Sequence, residues 1–169
     1  MWFPAEQGSC WWINHVPVNE GAMLTIRKSN VGDGPRVMQI WREAVDATHD
    51  FLDPKDRDAI EQELSQFLPT APLWLAIDKA SRTVGFMLLD GSHMEALFID
   101  PASRGQGVGR SLVEHACSLY SVISTDVNEQ NSAAAGFYRR LGFIPTGRSE
   151  MDGQGRPYPL IHLQRLPSV

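Results

Sequence analysis

Three glycines spaced two residues apart, Gly105, Gly107 and Gly109, lie in the segment Ile99-Asp100-Pro101-Ala102-Ser103-Arg104-Gly105-Gln106-Gly107-Val108-Gly109-Arg110, between a run that reads as a β-strand and one that reads as a helix. Without side chains, the backbone there can bring successive N–H groups close to an anion, and the following helix N-terminus adds unpaired donors and partial positive charge. Arg104 and Arg110 add charge-assisted contacts suited to a diphosphate. Two familiar phosphate loops do not fit. A Walker A loop needs Gly-Lys-Ser/Thr at its end, and a dinucleotide fingerprint needs a glycine where Arg110 stands. Taken alone, the turn supports two readings, an anion cradle and a tight strand-to-helix connection.

The flanking pattern sets the architecture. Leu24 to Ile26 alternates as a short strand, and Pro35 opens a helix in which Val37, Ile40, Trp41, Ala44 and Val45 recur at helical spacing. A second helix follows, with Asp53 as cap, Pro54 in its first turn, and Ile60, Leu64, Phe67 and Leu68 as its buried stripe. Leu73 to Ile77 and Thr83 to Leu89 read as a hairpin, and His93 to Ile99 as the strand leading into the glycine turn. The helix from Arg110 to Tyr120 is expected to bury Leu112, Val113, Ala116, Leu119 and Tyr120, leaving His115 on a solvated side and Cys117 in packing. A strand from Val122 to Val127, a helix from Ser132 to Leu141, and strands at Phe143 to Thr146 and Leu160 to Gln164 follow. The order predicts an α/β (α+β) three-layer domain, a mixed sheet of about seven strands with helices on both faces.

Composition narrows the class of partner. A chain of 169 residues with 43% hydrophobic and 21% charged residues can bury one sizeable core. A net charge of −5 argues against a general nucleic-acid or anionic-membrane binder. Cys10 and Cys117, with no CxxC and no His/Cys cluster at ligand spacing, suggest neither a disulfide framework nor a metal site, and a reducing cytoplasm fits best. No stretch reads as a signal peptide or membrane span. Residues 1–22, with Trp2, Trp11 and Trp12, stand apart from the domain expected over 23–169. They read either as a genuine extension or as the product of an upstream start codon, with Met23 as the natural beginning.

Arg104-x-x-Gly107-x-Gly109 after the strand HMEALFIDP, together with the later segment VNEQNSAAAGFYRRLGF, resembles the acetyl-CoA-binding core of the GNAT superfamily of N-acetyltransferases. The strings VDATHDFL, APLW, GFMLL, VNEQN, GRSE and PYPL are similar to the YjaB-type bacterial members. The resemblance covers essentially Met23 to Leu166. It implies that the strand ending at Ile99 splays from the strand ending at Val127, and that acetyl-CoA, the acyl-donor cosubstrate, lies in the opening. Backbone groups of Leu97, Phe98 and Ile99 then pair with the pantetheine arm. Arg104, Gly105, Gln106, Gly107, Val108, Gly109, Arg110 and Ser111 surround the diphosphate, and Asn128, Asn131, Ala134, Phe137 and Tyr138 line the far side. A homodimer is compatible with the resemblance.

Amine acetylation needs a neutral amine, a polarised thioester and a proton for the departing thiolate, all of which side chains can supply without a metal. Tyr138 matches the family tyrosine that serves the leaving thiolate, and its competing role is a structural one beside Phe137 and Leu141. His93 and Glu95, two residues apart on one strand face, are alternative bases. Asn131 either contacts pantetheine or caps the next helix, or does both. His49, Trp41 and Tyr158 are expected around the acceptor amine, a small molecule or a protein amine. Acetyl transfer by direct attack in a ternary complex is the reading these residues favour. An acyl-CoA sensor with little turnover would share the glycine turn, and a toxin-like acetyltransferase acting on aminoacyl-tRNA conflicts with the acidic balance.

Overall fold

Local capping starts several elements. In the computed structural model, which describes residues 23–167, the Asn30 side chain accepts from Gly32 N and Asp33 accepts from Asn30 N, leading into helix α1, Gly34–Thr48. Helix α2, Pro54–Phe67, starts with Asp53 Oδ1 accepting from Lys55 N at 2.8 Å, a bond that contributes about 1 kcal/mol. Residues 1–22, and the question of where the natural chain begins, lie outside the described residues.

The strands are β1 (Thr25–Lys28), β2 (Trp74–Ile77), β3 (Thr83–Asp90), β4 (His93–Ile99), β5 (Ile123–Asn128), β6 (Ile144–Ser149) and β7 (Leu160–Arg165), and they form one sheet in the order β1-β2-β3-β4-β5-β7-β6. Helix α3 spans Val108–Leu119 and helix α4 spans Ser132–Arg140. Every neighbouring pair of strands is antiparallel except β4 and β5. One apolar cluster joins α3 and α4 to one face of the sheet through Met87, Met94, Leu112, Val113 and Ile123; a second joins α1 to the other face through Val37, Ile40, Trp41, Leu75 and Phe86. This is the three-layer mixed arrangement that the alternation of strands and helices predicts. No helix among the described residues is long and apolar enough to cross a membrane.

Three expectations from periodicity need correction. Phe67 is 50% exposed rather than part of the α2 stripe, because successive helical residues point about 100° apart and Leu68 takes the inward direction. Leu119 and Tyr120 are 46% and 39% exposed, since α3 ends at Leu119 and Tyr120 is already extended at φ −137°. His115 is not simply solvated. Its ring packs edge-on against Trp74 with centroids 4.2 Å apart, and its Nε2 is buried without a hydrogen-bond partner.

Burial, followed by the charge of nearby Lys28, lowers the His115 pKa from its ordinary 6.5, and burial does the same at His49. A depressed histidine pKa means that the unfolded chain binds more protons below pH 6.5, so stability is full above that value and declines as pH falls from it toward the folded-state pKa. His115→Phe, which keeps the contact with Trp74, is therefore expected to flatten the fall in melting temperature between pH 7 and 5. The remaining slope should contain the contribution of His49. Parallel slopes for parent and variant would show that His115 carries none of the acid sensitivity.

Candidate functional site

The opening in the sheet starts where the parallel pair ends. Strands β4 and β5 are in register only at His93↔Ser124 and Met94↔Thr125, whereas β4 continues along β3 to Ile99 and β5 continues along β7 to Asn128. At the point of divergence the buried Thr125 Oγ1 donates to Met94 O at 2.8 Å. A β-bulge sits one residue further on: Leu88 pairs with Ala96 but Leu89 pairs with Met94, which leaves Glu95 as the extra residue. Beyond it, Leu97, Phe98 and Ile99 line the gap.

The glycine turn closes one end of this gap. Gly105 and Gly107 have φ of +73° and +81°, and a Cβ added at either would meet nothing within 4 Å. Their requirement for glycine is thus conformational, and the space beside them is open. Gly109 is different, because a Cβ there would stand 3.0 Å from Phe137 Cζ, so its missing side chain lets α3 approach α4. The loop is held from the other side by Asp100, whose Oδ1 caps Ala102 N while Oδ2 pairs with Arg36 of α1 at 2.5 Å.

The resulting groove, of about 420 Å³, is lined by Leu97, Phe98, Ile99, Arg104, Gly105, Gly107, Val108, Gly109, Arg110, Asn131, Ala134, Phe137 and Tyr138. Gln106 and Ser111 are not in its lining. Ser111 Oγ is spent on Gly107 O at 3.0 Å, which secures the first turn of α3. Asn131 Oδ1 accepts from Ala134 N at 3.0 Å while the residue also lines the groove, so capping and groove formation coexist. Asn128 faces the neighbouring cavity instead, with its Oδ1 bonded to Gln130 N. Sequence reasoning overlooked Ala44, Thr48, Ser103, Ala133 and Arg140, which complete the lining. Arg140, next to the FY pair, was the legible one, as a third cation beside Arg104 and Arg110.

These residues fit a coenzyme A chain. A splayed strand edge suits an extended amide-bearing arm, positive-φ glycines beside a helix N-terminus suit a diphosphate, and the cations suit its charge. Burial pushes the Tyr138 phenol up to about 12, with the Thr125 side chain offsetting part of the shift. The ring is wedged between Phe137 and Phe143, with centroids at 5.1 and 5.2 Å.

A second cavity, of about 400 Å³, lies on the α1/α2 side of the sheet. Its wall is largely apolar, with Trp41, Val45, Phe51, Ile60, Leu64 and Phe98, and its polar members are His49, Glu95, Asn128, Asp152 and Tyr158. Trp41 is thus both core and cavity wall. The Tyr158 hydroxyl is committed, accepting from Asp53 N at 3.0 Å and donating to Asp56 Oδ2 at 2.6 Å, so it offers the cavity its ring and ties the β6–β7 connection to α2. His93 does not line the cavity. It sits behind Glu95, with Nε2 4.0 Å from Glu95 Oε1.

His49 and Phe98 line both cavities, so the two spaces meet there. The His49 pKa is lowered first by burial and then by Arg104, which favours a neutral imidazole at this junction. Its Nδ1 lies 2.7 Å from Thr48 Oγ1, and its ring stacks at a tilt on Phe51.

Comparison with known proteins agrees with this fold. The family described as acetyltransferase (GNAT) domain matches residues 39–158. The peptidyl-lysine N-acetyltransferase YjaB of Salmonella typhimurium is 55% identical over 141 residues, covering 83% of this chain and 97% of its own. The solution structure of apo-form YjaB from Escherichia coli superposes with a TM-score of 0.82 at 52% identity, covering 86% of this chain and 99% of that one. A PaiA N-acetyltransferase from Thermoplasma acidophilum, solved in complex with coenzyme A, shares the fold at a TM-score of 0.69 and 17% identity, covering 85% of this chain and 98% of its own.

Proposed function

The chain belongs to the GNAT family and is an N-acetyltransferase, and we propose that it moves the acetyl group of acetyl-CoA to the ε-amine of a lysine in a peptide or protein, by direct attack within a ternary complex. The observation that carries this reading is the junction of two separate cavities at His49 and Phe98, one with the features of a coenzyme groove and one apolar with a carboxylate on its wall. A lysine presents four methylenes and one cation. The apolar wall of Trp41, Val45, Ile60 and Leu64 suits the methylenes, and Glu95 suits the ammonium. The Salmonella relative is named a peptidyl-lysine N-acetyltransferase, and the share of both chains covered supports the same acceptor here.

When bound, acetyl-CoA supplies the activated acyl group. Arg104, Arg110 and the N–H groups around Gly105 to Gly109 hold its diphosphate, and the edge of β4 from Leu97 to Ile99 holds its arm. A lysine ammonium has a pKa of about 10.4, so a base must take a proton before the nitrogen can attack. Glu95 receives that proton, because it lines the acceptor cavity and His93 stands behind it. Neutral His49 adds no positive charge at the junction to oppose the incoming ammonium. Tyr138 holds its proton at neutral pH and donates a hydrogen bond at the sulfur end of the groove.

Incubating the protein with acetyl-CoA and a panel of amines, while following free thiol and product mass, tests the reading. Lysine-containing peptides should give amine-dependent thiol release, and Glu95→Gln should lower kcat by about 100-fold with little change in coenzyme binding. Coenzyme binding without amine-dependent release would overturn it in favour of an acyl-CoA sensor.

A further inference from the structure

The α1/α2 side of the sheet carries, across β4, β5, β7 and β6, a chain of polar side chains that the coenzyme groove does not use. His93 Nδ1 lies 2.8 Å from Ser124 Oγ, and His93 Nε2 lies 3.7 Å from Asp126 Oδ2 as well as 4.0 Å from Glu95 Oε1. The other oxygen of Asp126 is 2.5 Å from His162 Nδ1, and His162 Nε2 is 2.6 Å from Ser149 Oγ. Strand register brings these groups together: His93 is level with Ser124, Asp126 with His162, and Ser149 lies two residues beyond Gly147, the partner of His162. Three of the four ring nitrogens are therefore within hydrogen-bond distance of a specific oxygen, and the fourth, His93 Nε2, stands between two carboxylates.

We infer that Asp126 and His162 are positioning residues for acetyl transfer: Asp126 is the counter-ion that lets His93 relieve Glu95 of the acceptor's proton, and His162 with Ser149 holds Asp126 in place. The inference rests on the acetyl-transfer reading above. Converting an ammonium and a thioester to an amide and a thiol removes two protons from nitrogen. One is taken up by the departing sulfur, and one must leave the site in each turnover. Glu95 accepts the latter as the amine becomes neutral. With hydrogen on Nδ1, donated to Ser124 Oγ, His93 keeps its Nε2 lone pair on the side of Glu95 and Asp126, and it takes the proton when the half-exposed Glu95 side chain swings across the 4.0 Å gap, restoring the carboxylate. The imidazolium so formed lies between the Glu95 and Asp126 carboxylates, which attract it as opposite charges. The His93 side chain is 32% exposed, and from there the proton passes to water.

Asp126 performs this role only if one oxygen keeps facing His93. His162 fixes the rotamer by donating from Nδ1 to the other oxygen, and Ser149 holds the tautomer by donating to Nε2. The charged and titratable groups facing His93 are Asp90 from β3, level with it in register, Glu95 from its own strand and Asp126 from β5. Those facing His162 are Asp126 from β5 and the Ser149 hydroxyl from β6.

Asp126→Asn and His162→Gln are the test, each measured for kcat and KM against a lysine peptide. Both are expected to lower kcat by about 10-fold or more while leaving the KM for acetyl-CoA within about twofold, Asp126→Asn more than His162→Gln. An independent readout uses the coenzyme-free protein, in which long-range proton–nitrogen spectra of the imidazoles should show Asp126→Asn altering both His93 and His162. Melting temperatures establish that each variant is folded, and His162→Gln decides the matter if Asp126→Asn is not. An active parent with both variants retaining its kcat overturns this inference alone. A parent inactive toward every amine overturns the acetyl-transfer reading and this inference with it.

Discussion

Tyr138→Phe is expected to lower kcat by about 100-fold at saturating acetyl-CoA while the coenzyme dissociation constant stays within about twofold. The separation follows from where the ring and the hydroxyl stand. The ring is buried between Phe137 and Phe143, contacts that phenylalanine keeps, so groove shape and stability change little. The hydroxyl is what the variant loses. With a pKa pushed up to about 12, it is protonated throughout the working range of an amine acetyltransferase. An alkyl thiol ionises near about 8.5, so full proton transfer from this phenol to a thiolate runs uphill, and a donated hydrogen bond to the developing charge is the more effective contribution. Equal turnover numbers for parent and variant would remove Tyr138 from the reaction.

Gly107→Val should raise the dissociation constant for coenzyme A by about 10- to 100-fold, measured by calorimetry. Gly107 has φ +81°, which a β-branched residue adopts only with strain. In the variant the turn relaxes to negative φ, its N–H groups no longer converge, and binding must restore the strained form. A cost of about 1.4–2.8 kcal/mol, within what a strained backbone position carries, gives the stated range. Gly155→Val is the matched control. It has φ +78° in the β6–β7 connection, and it is absent from the lining of either cavity, so the same backbone strain there should leave coenzyme affinity unchanged. A Gly107→Val protein that binds as tightly as the parent would mean that the turn does not cradle the ligand.

The two predictions differ in how far sequence could support them. Gly107 stood out because three glycines two residues apart between a strand and a helix leave successive N–H groups open to an anion, and the neighbouring arginines supplied the charge. Tyr138 was legible only through its resemblance to a family motif, since an FY pair on an amphipathic helix reads equally well as core, and the structure shows that it is core as well as groove lining. Phe67, Leu119, Tyr120 and His115 were misread because periodicity gives the direction of a side chain about the helix axis but not where the helix ends or what lies opposite. His115 looked polar by position, yet Trp74 from β2 covers it.

Asp126 carried no signal at all. It sits in a strand where acidic residues are ordinary on a solvent face, and its partners come from β4 and β7, at sequence separations of more than thirty residues. The bulge at Glu95 was equally hidden, because it exists only as a mismatch with Leu88 and Leu89 on β3.

The sequence by itself determined the order of strands and helices, the glycine turn with its cations, and the family to which the chain belongs, because these depend on spacing within a short segment or on separated motifs in fixed order. Tertiary structure alone decided that the groove and the second cavity share His49 and Phe98, that Glu95 rather than His93 lines that second cavity, and that Asp126 lies between two histidines. Those are relations between strands, and the register that creates them is set by the packing of the whole sheet, which no local stretch of residues encodes.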